Sequence, residues 1–203
     1  MSPAWDWPGA RWWKCDLHVH SPESYDFQDG NSVQAADWLN AARNAGLEAV
    51  AVTDHNTGAF VDQVRLQLQH TSPLHLFPGV ELTVEPGVHL LVLFDPAQGA
   101  DAITAFLGAC RIPVQKFGTK DAISTISPLD ALRTAVEKGA LCIAAHADDC
   151  KGLLKEIRPG EPLQQILKSP DLSGVEMNKG VLDETMFLIS LFKCGMPEIT
   201  FVM

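Results

Sequence analysis

An α/β fold, with a parallel sheet covered by helices, is predicted by three features of the chain. Short β-branched runs alternate with amphipathic stretches along its 203 residues, several of those runs are apolar at nearly every position, and capping or turn residues separate them. Strands buried on both faces read as continuous apolar runs and belong to parallel sheets with helices on either side. A closed β/α barrel and an open doubly wound sheet both fit that pattern. Neither GxGxxG nor GxxxxGKS/T occurs, so the nucleotide-binding open-sheet families gain no support.

The elements follow in order. Residues 12–20 (WWKCDLHVH) read as the first strand, after an N-terminal extension of residues 1–11. Asn31 or Ser32 can cap a helix to about residue 44, with Gly46 as its stop. Residues 47–53 (LEAVAVT) form a second strand, and residues 59–69 a helix with Phe60, Val64 and Leu68 on one face. Residues 74–84 and 89–94 read as strands on either side of a turn at Pro86-Gly87. A helix over residues 101–110 precedes a polar stretch, 111–125, that has no clear periodicity. Ser127 as cap, Pro128 in the first turn and Gly139 past the end delimit a helix with Leu129, Leu132 and Val136 on its apolar face. Residues 140–145 and 175–177 read as strands, Asp183 caps a helix to Cys194, and residues 199–203 read as a final strand.

Composition narrows the class. With 46% hydrophobic and 20% charged residues the chain reads as soluble and globular. No apolar run approaches the roughly 18 residues that span a bilayer, and the first residues lack the basic start and apolar stretch of a signal peptide. A cytoplasmic protein with no membrane partner is the expectation. Five cysteines at irregular spacing, with no CxxC pair, read as free thiols in a reducing compartment. The net charge of −10 argues against a stand-alone electrostatic DNA binder. It leaves a nuclease open, because bound cations reverse the local sign.

The candidate chemistry lies at strand ends. His18 and His20 are two apart on the first strand, so alternation puts both imidazoles on one face and Leu17 and Val19 on the other. His55 ends the second strand (TDHN), Glu81 lies near the end of the third (PGVELT), and His146 closes another (IAAHADD). His89 departs from the pattern by opening its strand. A lone histidine at a strand end is more often structural than a ligand, but this many at strand ends point to a metal site, since neutral imidazole is the commonest metal ligand. Glu81, between apolar neighbours, is costly to bury without a cation partner. Asp16 shares the face of His18 and is a candidate to orient an imidazole, whereas Asp54 should point away from His55. His70 and His75 read as surface residues. A site made of Cys142, His146 and Cys150 is conceivable, though Cys142 fits better as a small core residue.

Taken together, DLHVHS, TDHN, GVE, HLLVLF and AAHAD, in this order, resemble the motifs of the PHP (polymerase and histidinol phosphatase) family. The resemblance runs from about residue 12 to residue 203. It implies a distorted (β/α)7 TIM-like barrel with two or three divalent ions, zinc, manganese, iron or magnesium. It also implies metal-assisted hydrolysis of a phosphoester, without a serine or cysteine nucleophile. On this resemblance His18, His20 and Glu81 hold one metal, Glu81, His89 and His146 a second, and His55 helps bind a third with a loop carboxylate. His18, His20, Glu81 and His146 would carry the catalytic work. The family pattern places that carboxylate as HxxxxD. Here SPESYD follows His20, so Asp26 comes one residue late, and Glu23 and Asp29 are rivals. Lys116, Lys120, Lys151 and Lys179 are open as phosphate clamps.

The family's last motif, an Asp-x-His on the final strand, is expected after EITFVM, where the sequence stops, and a chain cut short is the expectation. The opening residues also resemble a subgroup fused to an SMC- or AAA-like ATPase, in bacterial proteins some of which serve phage defence. The expected function is thus a phosphoesterase acting on a nucleotide or on a DNA or RNA end. A degenerate, partner-binding PHP module is the alternative. An amidohydrolase-like barrel also begins with HxH after a strand, but TDH and GVE favour the PHP reading.

Overall fold

The computed structural model describes residues 13–28, 32–68 and 74–178. Six strands form one sheet in chain order: β1 (Cys15–Val19), β2 (Ala49–Val52), β3 (His75–Val84), β4 (Val88–Leu93), β5 (Leu141–Ala144) and β6 (Gly174–Val175). Pairing is parallel for β1/β2, β2/β3 and β5/β6. It is antiparallel for β3/β4 and β4/β5, which corrects the expectation of a parallel sheet. Only residues 85–87 link β3 to β4, and a parallel crossover needs a dozen residues or more. The turn at Pro86-Gly87 therefore forces a hairpin, and Gly87, at φ 131°, takes a backbone conformation that glycine adopts without strain.

Side-chain alternation divides the sheet into two faces. Val50, Val52, Val80, Leu82, Leu90, Val92, Cys142 and Ala144 join the main core against the helices, while Ala51, Phe77, Leu91, Leu93, Ile143, Ala145 and Leu17 form a smaller cluster on the other face. The two outermost strands nevertheless meet at one end. His18 on β1 lies 2.9 Å from Glu176, the residue after β6. The sheet is thus curled into part of a barrel, with the smaller cluster on its concave side.

The helices are α1 (Ala35–Asn44), α2 (Val61–Leu68), α3 (Ala100–Ala109), α4 (Pro128–Glu137), α5 (Leu153–Glu156) and α6 (Glu161–Leu167). The Ser127 hydroxyl caps α4 by accepting the Asp130 N–H at 3.1 Å, as its sequence predicts. Its buried face is Ala131, Leu132 and Ala135, and Val136 is exposed. Helix α1 starts later than expected, with Gln34 at its cap; the Gln34 N–H donates to Asp37. Neither α5 nor α6 is predicted by the sequence pattern. Both are short, and only Leu153 and Ile166 are buried along them, too few positions to display a helical period. Residues 111–125 contain a single 3-10 turn, Val114–Lys116. The predicted helix from Asp183 and the strand over residues 199–203 lie outside the described residues, as do Asp29, His70 and Lys179.

Candidate metal centre

At one end of the concave face, five imidazoles surround a single carboxylate. Glu81 is 1% exposed. Its Oε2 lies 3.2 Å from His18 Nε2, 2.9 Å from His20 Nε2 and 3.3 Å from His55 Nδ1. Its Oε1 lies 2.7 Å from His89 Nδ1 and 3.0 Å from His146 Nε2. No other cluster of this kind occurs among the described residues.

Local backbone devices bring these rings together. Strand β1 carries a bulge: residues 16 to 19 span the same register as residues 50 to 52 on β2. Leu17 therefore packs in the concave cluster while Val19 packs against the helix-facing core, where strict alternation would put both on one face. The bulge lets His18 and His20 both reach Glu81 and separates Asp16 from them. Asp16 accepts the backbone N–H of His18 at 3.2 Å, not a ring N–H, correcting the role expected for it. His89 opens β4, yet β4 runs antiparallel to β3, so its first residues lie at the end where β3 finishes. Thr83 pairs with His89 there. His146 follows the inward-facing Ala145, and alternation alone would turn it outward. Its left-handed backbone, φ 27°, ends the strand and brings the ring to Glu81. Cys142 is fully buried in the helix-facing core, away from the His146 ring, so the site with His146 and Cys150 does not form.

The loop after β1 is fastened to the loop after β2. Asp54 accepts the Ser21 N–H at 2.6 Å and its hydroxyl at 2.5 Å, and Trp38 Nε1 donates to the His20 carbonyl at 3.0 Å. Burial pushes the Asp54 carboxyl up to about 6, although both Ser21 bonds oppose the shift. Asn56, in the left-handed region at φ 51°, ties this loop to β3 by accepting the Thr83 N–H and donating to Thr83 Oγ1 and the Ala122 carbonyl.

Outer carboxylates orient two of the rings. Asp26 lies 3.0 Å from His20 Nδ1 and 3.4 Å from His55 Nε2. Tyr25, beside Asp26 in this loop, stacks its ring on His55 with centroids 4.7 Å apart and planes 20° apart. Glu176 lies 2.9 Å from His18 Nδ1 and accepts the His146 N–H at 2.8 Å. The sequence reading missed Glu176, although its signal matches that of Glu81, a carboxylate flanked by apolar residues in GVEM. Glu23 is exposed and outside the cluster, and Lys116, Lys120 and Lys151 are exposed too. Lys151 touches the site through its backbone, its carbonyl accepting the His89 N–H at 2.9 Å.

The electrostatics are those of a cation site. Burial raises the Glu81 carboxyl, but hydrogen bonds from His146, His18, His20 and His89 outweigh it and hold the group well below the usual carboxylate range. Burial lowers His18, yet Glu176 and Glu81 raise it to about 10, whereas burial drives His55 down to about 4. Five ring nitrogens crowd a carboxylate that offers about four lone-pair directions. Nδ1 of His146 is buried with no hydrogen-bond partner among the described residues, and Nδ1 of His55 and of His89 face only Glu81, at 3.3 and 2.7 Å. Nitrogens that converge without satisfying one another fit a shared cation. Two sets of donor atoms lie mutually within 4.8 Å: His18, Glu81 and His146, and His20, His55 and Glu81. Histidines 18 and 20 fall in different sets here, although both rings face the same oxygen of Glu81, Oε2.

Glu176→Gln keeps an acceptor but removes the charge behind His18. It is expected to weaken divalent-cation binding about 10- to 100-fold, read by competition with a chromophoric chelator. Unchanged affinity would show that Glu176 does not orient a ligand.

No protein-family model matches the chain. Over 155 residues, 75% of the chain, it is 33% identical to an error-prone DNA polymerase of Symbiobacterium thermophilum, of which it spans 14%. Among solved structures it resembles a candidate metal-dependent phosphoesterase of Bifidobacterium adolescentis (TM-score 0.53, 18% identity, 81% of this chain and 77% of that one). It also resembles a lesion-specific endonuclease of Pyrococcus furiosus (0.52, 18%, 71% and 37%). A third is a two-domain protein of Bacteroides vulgatus containing a predicted PHP-like metal-dependent phosphoesterase (0.52, 20%, 80% and 43%). In fold, the chain is a PHP-like α/β domain.

Proposed function

We propose that this domain, residues 12–203, hydrolyses phosphoester bonds of nucleotides or nucleic acid ends with two or three divalent cations. The convergence of five imidazoles on the buried Glu81 carries the reading. His18 and His146 with Glu81 would hold one cation, and His20 and His55 with Glu81 another. Asp26 and His89 stand beside them as further ligands. A nitrogen-rich set favours zinc or iron over magnesium. Bound there, divalent cations supply positive charge against the phosphate oxygens and acidify water at the site. Around them the chain's own groups do the positioning: Glu176 fixes the ring of His18, and Asp54 fastens the loop that follows β1 and leads to Asp26. The polymerase and endonuclease likenesses support a nucleic acid substrate. The ATPase partner suggested by the opening residues belongs to the same proposal, as do cytoplasmic residence and a part in phage defence.

The test is hydrolysis of a mononucleotide and of short DNA and RNA by the full-length protein, after chelation and after cation is restored. Cleavage only with added cation is expected. Absence of cation-dependent hydrolysis on all three would overturn the reading in favour of a non-catalytic module.

A further inference from the structure

Tyr25 projects from the loop that carries the candidate ligand Asp26, and one face of its ring lies on His55. The residue is still 44% exposed, although His55 beneath it is 4% exposed. Its neighbours on both sides are fixed. Ser24 Oγ donates to Asp26 at 2.7 Å and accepts the His55 N–H at 3.3 Å, and Asp26 is held against His20. The ring therefore stands beside the cluster, stacked on His55 while nearly half of the residue remains open to solvent. Among the described phenyl, phenol and indole rings, that of Tyr25 is the one stacked on an imidazole of the cluster.

We infer that Tyr25 is a specificity-determining residue, a platform on which the planar base of a nucleotide stacks while its phosphate faces the imidazole cluster. This deepens the phosphoesterase reading, on which it rests, by naming the residue that would select a nucleotide over other phosphoesters. Two features support it. Every base has a π-face, so stacking on an aromatic side chain tolerates any base. Tyrosine also offers a large rigid surface at low entropic cost. A phosphorylated polyol or sugar has no such face and would gain little from the ring.

The test measures binding, so it does not depend on turnover. Dissociation constants of adenosine 5′-monophosphate and glycerol 3-phosphate are determined with the full chain loaded with manganese, for wild type, Tyr25→Phe and Tyr25→Ala. Tyr25→Ala is expected to weaken the nucleotide about tenfold and leave glycerol phosphate within about twofold, with Tyr25→Phe close to wild type. Manganese content and melting temperature should be unchanged in both variants. Equal weakening of both ligands, or loss of manganese from Tyr25→Ala, would mean that the ring acts only through His55 and would overturn the inference. A nucleotide that binds in this pattern but is never cleaved would sink the phosphoesterase reading and leave the platform standing.

Discussion

Glu81→Gln is expected to lose cation binding at both sets of ligands together. One carboxylate faces all five rings, so no subset of histidines retains an anionic partner at the centre. Outer partners of metal ligands are worth about 10- to 100-fold in affinity, and a shared inner carboxylate should exceed that, with more than about 100-fold loss and hydrolysis at background. The amide has nearly the volume of the acid, so packing around residue 81 is preserved. Its NH2 group, however, would point a donor at ring nitrogens that need an acceptor or a cation. Equilibrium dialysis followed by elemental analysis reads the first effect. Retention of one tightly held cation in the variant would show that Glu81 is not shared.

Gly152→Ala is expected to break the site from the backbone side. A β-carbon there would lie 2.2 Å from the His146 carbonyl oxygen and 2.6 Å from Ala147 backbone atoms, so no side-chain rotation relieves the clash. The turn from residue 146 to residue 152 is closed by Asp149 N–H to His146 O and Gly152 N–H to Asp149 O, and it abuts β4 through His89 N–H to Lys151 O. Displacing it moves His146 and disturbs His89. Overpacking of this kind costs about 1–3 kcal/mol, read as a lower urea midpoint, and cation affinity should fall with it. Gly108→Ala is the control: its added carbon meets nothing within 4 Å on α3. There alanine should be neutral or stabilise the helix by about 0.5–1 kcal/mol. If Gly152→Ala behaves like Gly108→Ala, the turn is not holding His146 in place.

Much of the fold was legible because its signals are local. The run AVAV gave β2, and Ser127-Pro128 with Gly139 marked both ends of α4. Strand direction was the part misread, although loop length encodes it: three residues between β3 and β4 leave room only for a hairpin. The same antiparallel turn explains His89, whose place at the start of its strand is at odds only with a parallel sheet. The bulge in β1 and the left-handed backbone at His146 had no sequence signal, because both arise from how the strand meets its neighbours. Glu176 carries the same local signal as Glu81, but its pairing with His18, 158 residues away, is beyond the reach of any periodicity.

Anomalous diffraction from crystals grown with manganese tests the central claim most directly. The expected result is peaks within bonding distance of the Glu81 carboxylate, one flanked by His18 and His146 and another by His20 and His55. Peaks only at surface carboxylates, with the five rings still hydrogen-bonded around Glu81, would contradict it.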